Sequence, residues 1–250
     1  MRIGIVTDTY TPQVNGVTTV VRRVADMVAA QGHEVALAAP RYPGAHAVGK
    51  GELRVPSVPF PPYPAIRLSW PRPGELARFF DELPAPIDHV LVTGPGPYYA
   101  PLAEFDFEKA RRDIEAHLLL PLQVARNAAK KVRPGGTLLF MSGTGGRSTS
   151  ASALIAALTA GIPALAKALA RDLAPVRLNV IAAGFVDTPL SASLLGDQLD
   201  ARRERLRKTL PIRRVVGPAD IAALAIHLMT NTAVTGATYD IDGGQQLVEG

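Results

Sequence analysis

Short apolar runs alternate along the chain with longer stretches in which apolar residues recur every three or four positions. The short runs at Ile3–Thr7, Glu34–Ala39, Val90–Thr93, Thr137–Met141, Arg177–Ala182 and Thr238–Ile241 predict strands. The periodic stretches at Val17–Gln31, Glu75–Leu83, Phe107–Val132, Ser152–Leu173, Leu199–Leu210 and Ala219–Thr230 predict helices. Gly32 stands where the first helix should stop, because glycine accepts the left-handed backbone that closes a helix. Pro218 and Asp220 stand at the start of the last one, where a fixed φ and a negative charge suit the helix amino terminus. The strands are near-continuous in apolar character, which implies burial on both faces. The expected fold is therefore α/β, a single doubly wound Rossmann-like parallel sheet with helices on both faces. Such sheets bind ligands at the carboxyl ends of their strands.

Proline breaks this pattern in two ways. Residues 41–74 hold eight of the chain's 22 prolines, and Phe60-Pro61-Pro62-Tyr63-Pro64 excludes helix and central strand. A short strand at Leu53–Val58 is expected inside that loop. Pro121 and Pro163 should kink or split their helices.

Composition narrows the chemistry. The chain has 250 residues, 47% of them hydrophobic, enough for one large domain or two small ones. With no cysteine, disulfide scaffolds, zinc-thiolate sites and iron–sulfur clusters are excluded. No two histidines share a ligand spacing, so no metal is expected. Met1 and Arg2 lead straight into a strand, and the apolar run from Ala153 is interrupted by Gly161, Pro163 and Lys167. The expectation is thus no signal peptide, no membrane span and a cytoplasmic protein. The net charge of +5 divides evenly, with nine basic and seven acidic residues in 1–87 and 18 and 15 in 88–250, so no nucleic-acid partner is expected. One cluster stands out, Arg202, Arg203, Arg205, Arg207, Lys208, Arg213 and Arg214 around the single Glu204. It reads either as a solvated helix face or as an anion-attracting lid over a site.

The stretch Asp8-Thr9-Tyr10-Thr11-Pro12-Gln13-Val14-Asn15-Gly16-Val17 after the first strand resembles the start of retaining, mannosyltransferase-type glycosyltransferases. Gly32-His33-Glu34-Val35, Val55-Pro56-Ser57-Val58-Pro59 and Tyr63-Pro64-Ala65-Ile66-Arg67-Leu68 extend that resemblance over roughly residues 1–85. A turn of this kind, opening a helix at Asn15 and Gly16, offers free N–H groups to a phosphate. That family's second domain has no counterpart in the chain, so glycosyl transfer by its mechanism is not expected.

The remainder resembles a short-chain dehydrogenase/reductase. Ile87–Val92 followed by Thr93-Gly94-Pro95-Gly96 resembles its fourth strand and loop, and Gly135 to Ser142 its fifth strand ending in the catalytic serine. Leu173-Ala174-Pro175-Val176-Arg177-Leu178-Asn179, running on to Gly184-Phe185-Val186-Asp187-Thr188-Pro189, resembles its sixth strand and nicotinamide-side loop. Gly217-Pro218-Ala219-Asp220-Ile221-Ala222 and Thr235 to Gly244 resemble its ending. The resemblance implies NAD or NADP as cofactor, a small-molecule ligand in the cleft and a homodimer or homotetramer. It places Ser142 and His117, the latter at the family's asparagine position, in catalytic roles. Asn15, Gly16, Arg41, Gly94, Gly96, Gly184, Val186 and Thr188 become candidate cofactor contacts, with Arg41 suited to a 2′-phosphate.

The departures matter as much. The family's tyrosine passes a proton and its lysine, four residues on, lowers that tyrosine's pKa. Those positions hold Ile155, thirteen residues after Ser142, and Thr159. Neither can do the work, and Tyr98 or Tyr99 would be the nearby replacements. Three readings follow. The chain is a dehydrogenase-like protein with impaired or absent hydride transfer, a recombinant or engineered chimeric scaffold, or a nucleotide-sugar-binding module. The expected organisation is one domain of two ancestries, 1–86 glycosyltransferase-like and 87–250 dehydrogenase-like.

Overall fold

The computed structural model describes residues 1–13, 16–43, 51–55, 57–60, 63–69, 73–83, 86–94, 98–147, 152–188, 191 and 195–248. Its strands are β1 (Arg2–Val6), β2 (Glu34–Pro40), β3 (Glu52–Val55), β4 (Ser57–Phe60), β5 (Tyr63–Ser69), β6 (Ile87–Val92), β7 (Val132–Gly143), β8 (Arg177–Ala183) and β9 (Thr238–Ile241). Its helices are α1 (Gly16–Ala30), α2 (Pro73–Glu82), α3 (Phe107–Ile114), α4 (Leu120–Ala128), α5 (Ala153–Asp172), α6 (Leu199–Thr209) and α7 (Pro218–Thr230). Seven strands form one sheet in the order β3-β2-β1-β6-β7-β8-β9. Every neighbouring pair in it is parallel. The expected fold class is what the structure shows.

Period-two alternation of the strand residues builds the two cores. Val90 and Val92, Leu138 and Phe140, Leu178 and Val180 face one side with Leu76, Phe79 and Phe80 of α2, Val124 and Ala128 of α4, and Ile162 and Ala166 of α5. Ile3 and Ile5, Leu91, Leu139 and Ile181 face the other with Val20, Val21, Val24 and Val28 of α1 and Ile221, Ala225, Leu228 and Met229 of α7.

Three expectations need correction. The region expected to be one helix over Phe107–Val132 is α3, a π-helical turn at Glu115–Leu119 and α4, and Val132 already belongs to β7. Pro121 sits in the first turn of α4, where no N–H is required, so the break precedes it. Pro163 does not split α5, which runs continuously over 20 residues. The single strand expected at Leu53–Val58 is two, β3 in the large sheet and β4, which pairs antiparallel with β5 in a separate hairpin. Prolines 59 and 64 thus occupy a two-stranded sheet, where a missing ladder donor is tolerated.

α5 is long and apolar enough to cross a membrane, yet it packs on the sheet through Ile155, Leu158, Ile162 and Ala166. At the start of β8 the buried Arg177 guanidinium donates to five carbonyls. These are Gly135 at 3.1 Å, Leu228 at 3.0 Å, Met229 at 2.8 Å, Asn231 at 2.9 Å and Val234 at 3.1 Å. Two of them, Leu228 and Met229, close the carboxyl end of α7, where a cation also meets the helix dipole. Asn179 secures the same loop, donating to the Val234 carbonyl and accepting from the Ala237 N–H. Arg177→Ala orphans these buried acceptors, and an expected loss of about 3 kcal/mol or more is checked by urea unfolding.

Candidate functional site

The strand order reverses between β1 and β6, with β2 on one side and β7 on the other, and this opens a crevice at the strands' carboxyl ends. Around it stand Thr7 and Asp8 after β1, Thr93 and Gly94 after β6, Ser142 near the end of β7, and Gly184 to Thr188 after β8. The two central strand ends are tied together below the opening. The Thr93 hydroxyl donates to Thr7 Oγ1 at 2.8 Å, and the Thr7 hydroxyl donates to the Thr9 carbonyl at 2.8 Å.

The turn from β1 to α1 is held from the β2–β3 side. Tyr42 donates to Gln13 Oε1 at 2.7 Å, and Arg54 donates to the carbonyls of Thr11 and Pro40 at 2.9 and 3.1 Å. The Thr9 hydroxyl lies 3.3 Å from that of Thr18, which ties the turn to the first residues of α1. Within it Asp8 is buried, and its Oδ1 has no hydrogen-bond partner among the described residues. Burial pushes its carboxyl up from 3.8 to about 7, against the opposing pull of its own backbone N–H and of His117.

His117 lies in the π-helical turn, a backbone form that often marks function. Its Nδ1 is 2.9 Å from the Asp113 carbonyl and 3.3 Å from Asp113 Oδ1, which orients the ring. Burial opposes its charged form, but the hydrogen bond and charge of Asp113 outweigh it and raise the imidazole above its ordinary range. The other side of the ring meets Gly94, where a Cβ would stand 3.3 Å from His117 Cδ2.

Gly16 and Gly184 are also contact points. A Cβ on Gly16 would stand 2.9 Å from Thr188 Cβ and closer still to its hydroxyl, so the amino terminus of α1 rests directly on the β8 loop. A Cβ on Gly184 would meet Gln245 Oε1 at 2.9 Å and Asp242 Cα at 3.0 Å. Thr188 is fixed by Ser191, whose hydroxyl accepts from the Thr188 N–H at 2.8 Å. Val186 bridges to Val216. Arg41 is exposed at the end of β2 with its guanidinium 3.4 Å from the Arg54 carbonyl. Ser142 is half-buried, opposite Ala182 in the ladder. Asn15 and Gly96 lie outside the described residues.

Ile155 and Thr159 are occupied by packing. Ile155 is 3% exposed and continues the core-facing stripe of α5. Thr159 donates its hydroxyl to the Ile155 carbonyl at 2.7 Å. The turn at Gly145–Arg147 lies against it, with a Cβ on Gly146 falling 2.9 Å from Thr159 Oγ1. Among the described residues no group of three or more His, Asp or Glu could hold a metal.

The basic cluster on α6 is largely paired. Arg203 reaches Asp187 at 2.8 Å and Asp200 at 3.0 Å, Lys208 reaches Glu204 at 3.1 Å, and Arg214 reaches Asp220 at 2.6 Å. Arg202 lies over the Phe185 ring, 5.7 Å from its centroid. Arg203 through Asp187 and Arg202 through Phe185 fasten α6 to the β8 loop, so the helix borders the crevice as well as facing solvent.

Sequence reasoning singles out His117 but passes over Asp8 and Asp113. The available signal for Asp8 is an acidic residue at the end of an apolar strand, where a turn toward a helix begins. Asp113 gives only the i,i+4 spacing to His117.

Known proteins align with this arrangement in two ways. A family described as Enoyl-(Acyl carrier protein) reductase matches residues 76–246. A second, Glycosyltransferase Family 4, matches residues 14–126. The short-chain dehydrogenase/reductase malC of Malbranchea aurantiaca is 27% identical over 59% of this chain and 57% of its own length. The corresponding figures for ucsE of Acremonium sp are 30%, 64% and 62%. The chain thus spans about three fifths of these two relatives. The 3-oxoacyl-[acyl-carrier-protein] reductase of Bos taurus is 26% identical over 90% of this chain and 93% of that one. Among solved structures, a small-chain dehydrogenase in complex with NADPH superposes with a TM-score of 0.76 at 22% identity, covering 98% and 99% of the two chains. A short-chain type dehydrogenase/reductase from Mycobacterium ulcerans gives 0.77 at 21%, covering 100% and 91%.

Two outcomes follow from the geometry. Gly16→Ala should cost about 1–3 kcal/mol by overpacking against Thr188, with partial recovery in Gly16→Ala/Thr188→Ala, measured by thermal unfolding. Because the folded state raises the Asp8 pKa, it binds more protons than the unfolded state between about pH 4 and 7, and stability falls as pH rises through that window. Asp8→Asn should therefore stabilise the protein by about 2–4 kcal/mol at pH 8 and have little effect below pH 4, as read by urea midpoints across pH.

Proposed function

The chain belongs to the short-chain dehydrogenase/reductase family, and from that premise we propose that it binds NAD or NADP in the crevice while its own hydride-transfer chemistry is impaired. The observation that carries this reading is the state of Ile155 and Thr159. Where the family uses a proton-passing tyrosine and a cationic lysine, this chain has a buried isoleucine and a threonine whose hydroxyl is spent on its own helix.

The residues present fit the cofactor at both ends of the crevice. Arg41, exposed and basic at the end of β2, suits a 2′-phosphate. The loop from Gly184 to Thr188 suits the nicotinamide carboxamide, with backbone groups and the Thr188 hydroxyl. The narrow point is the contact between Gly16 and Thr188, which the pyrophosphate has to part or skirt. The small-chain dehydrogenase solved in complex with NADPH supports the phosphorylated form. When bound, the cofactor supplies the hydride. Ser142 donates a hydrogen bond to the substrate oxygen, and His117, oriented by Asp113, adds positive charge near it. Neither replaces the proton path through the missing pair.

The same reading makes the ligand a small molecule, with no nucleic-acid or membrane partner, in a cytoplasmic homodimer or homotetramer. The apolar α5 and the exposed Leu119 and Leu122 support the assembly, since an unburied apolar face favours a second copy. The match to Glycosyltransferase Family 4 over 14–126 favours a second reading, a nucleotide-sugar-binding module. With the match over 76–246 it also suits a chimera of two ancestries, 1–86 and 87–250, whose seam near residue 86 would fall within the stretch 76–126 that both families match.

Titration with NADPH, NADH and a nucleotide sugar separates these readings. Saturable NAD(P)H binding with little carbonyl reduction is expected, and Ile155→Tyr with Thr159→Lys should raise the reduction rate. Rapid reduction by the unmodified chain overturns the impairment. Binding of the nucleotide sugar alone favours the module, and a cooperative melt with neither ligand bound favours a scaffold without catalysis.

A further inference from the structure

The crevice lies at the carboxyl ends of the strands, and a second polar cluster lies at their amino ends, where hydride transfer has no use for it. His89 in β6 is 2% exposed and stands in register with Ile3 of β1 and Thr137 of β7. Its Nδ1 has no hydrogen-bond partner among the described residues, and its Nε2 is 3.3 Å from Met1 Sδ. Met1 packs against the core on one face of the sheet, and its nitrogen is 3.0 Å from His33 Nδ1. Neither tautomer satisfies the buried His89 ring. A proton on Nδ1 finds no acceptor and leaves the lone pairs of Nε2 and sulfur facing each other. A proton on Nε2 finds only a thioether, a weak acceptor, and leaves Nδ1 bare. A buried imidazole in this state marks a place that something else completes.

We propose that Met1 Sδ and His89 Nε2, with His33 Nδ1 as the third donor, form a binding site for copper(I), a soft monovalent cation. The site is independent of the function proposed above, because it and the crevice lie at opposite ends of the parallel sheet.

The donor set selects the ion. A thioether with two imidazoles suits a soft cation, whereas calcium and magnesium demand oxygen ligands. The sulfur is also why the spacing of histidines gives no sign of the site: a methionine completes the set. Bonds of about 2.0 Å to imidazole nitrogen and about 2.3 Å to sulfur put two donors about 3.3 Å apart when they meet at about 100°, an angle that a three- or four-coordinate ion accepts. The separation of His89 Nε2 and Met1 Sδ is the one required. Of the charged groups that act on His89, Asp88 favours a cation, while Arg177, Arg133 and the Met1 amine oppose one, so a single charge is easier to hold than two. Copper on Nε2 fixes the ring proton on Nδ1. Thr137 Oγ1, buried on the adjacent strand and itself without a partner among the described residues, is an acceptor for that proton. No covalent bond breaks and no electron moves; the ion enters and leaves as copper(I).

The test is anaerobic titration of the full chain, with nothing preceding Met1, with copper(I) against a chromophoric copper(I) chelator. Silver(I) serves as a redox-inert probe in NMR of the methionine methyls and histidine rings. The expected result is one copper per chain and an X-ray absorption shell that holds both sulfur and nitrogen; with no cysteine in the chain, that sulfur is a thioether. Of the four methionine methyl signals, that of Met1 shifts together with the His89 ring. His89→Leu, which fills the place with an apolar side chain, should keep the fold and weaken binding about tenfold or more, and His33→Ala should weaken it less. The spectra of the unmodified chain do not depend on how well either variant folds. A shell without sulfur, a shift centred on Met27, Met141 or Met229, equal binding by His89→Leu, or loss of all copper to the chelator each overturns the site and leaves the reading of the crevice intact.

Discussion

The Arg177 guanidinium gathers carbonyls from the start of β7, the last turn of α7 and the connection to β9 onto one buried charge. Burial disfavours its charged form and lowers its pKa, so these acceptors do the work of keeping a cation away from water. The consequence reaches the other end of the strand. With its amino end pinned, β8 meets β7 in register from Thr137–Arg177 to Gly143–Ala183 and delivers Gly184 to Thr188 to the crevice at a fixed height. α7, held by the same group, packs against α1 on the far face and sets where the amino terminus of α1 can lie. The contact between Gly16 and Thr188 is thus the meeting of two elements that are both fixed from Arg177.

The crevice itself is built by close approach rather than by an open glycine-rich loop. Gly16, Gly94 and Gly184 each face a side chain, Thr188, His117 and the Asp242–Gln245 pair. In each case the missing Cβ lets one wall of the site rest on another. Ligand entry therefore works against packing contacts, while α6, fastened through Arg203 to Asp187, closes the side nearest the β8 loop.

Much of the sheet is legible in the sequence because alternation and near-continuous apolar strands are local signals. β9 and β2 fall within a residue of their expected bounds, and the motif after β8 is recognisable without knowledge of any contact. The breaks are harder. A π-helical turn leaves no composition signal, so the sequence points to Pro121 when the helix changes form at Glu115. Pro163 looks disruptive, but neighbours that anchor α5 to the sheet outweigh one lost hydrogen bond. In the site, the positions of Ile155 and Thr159 are readable by spacing from Ser142. Asp8 and Asp113 are not, because their importance comes from burial and from partners far along the chain or one helical turn away, which spacing does not encode.

The contact between Gly16 and Thr188 joins residues from opposite sides of the boundary proposed near residue 86. Thr7 with Thr93, and Asp8 with His117, cross it as well. Two segments with separate resemblances thus share one set of interlocking surfaces. Neither half can be exchanged for that of a relative as a cassette: a donor segment carrying any side chain at position 16 has to arrive with a smaller residue than threonine at 188. Compatibility between the halves is decided by such pairs, and the sequence similarity of each half to its own kin says nothing about it.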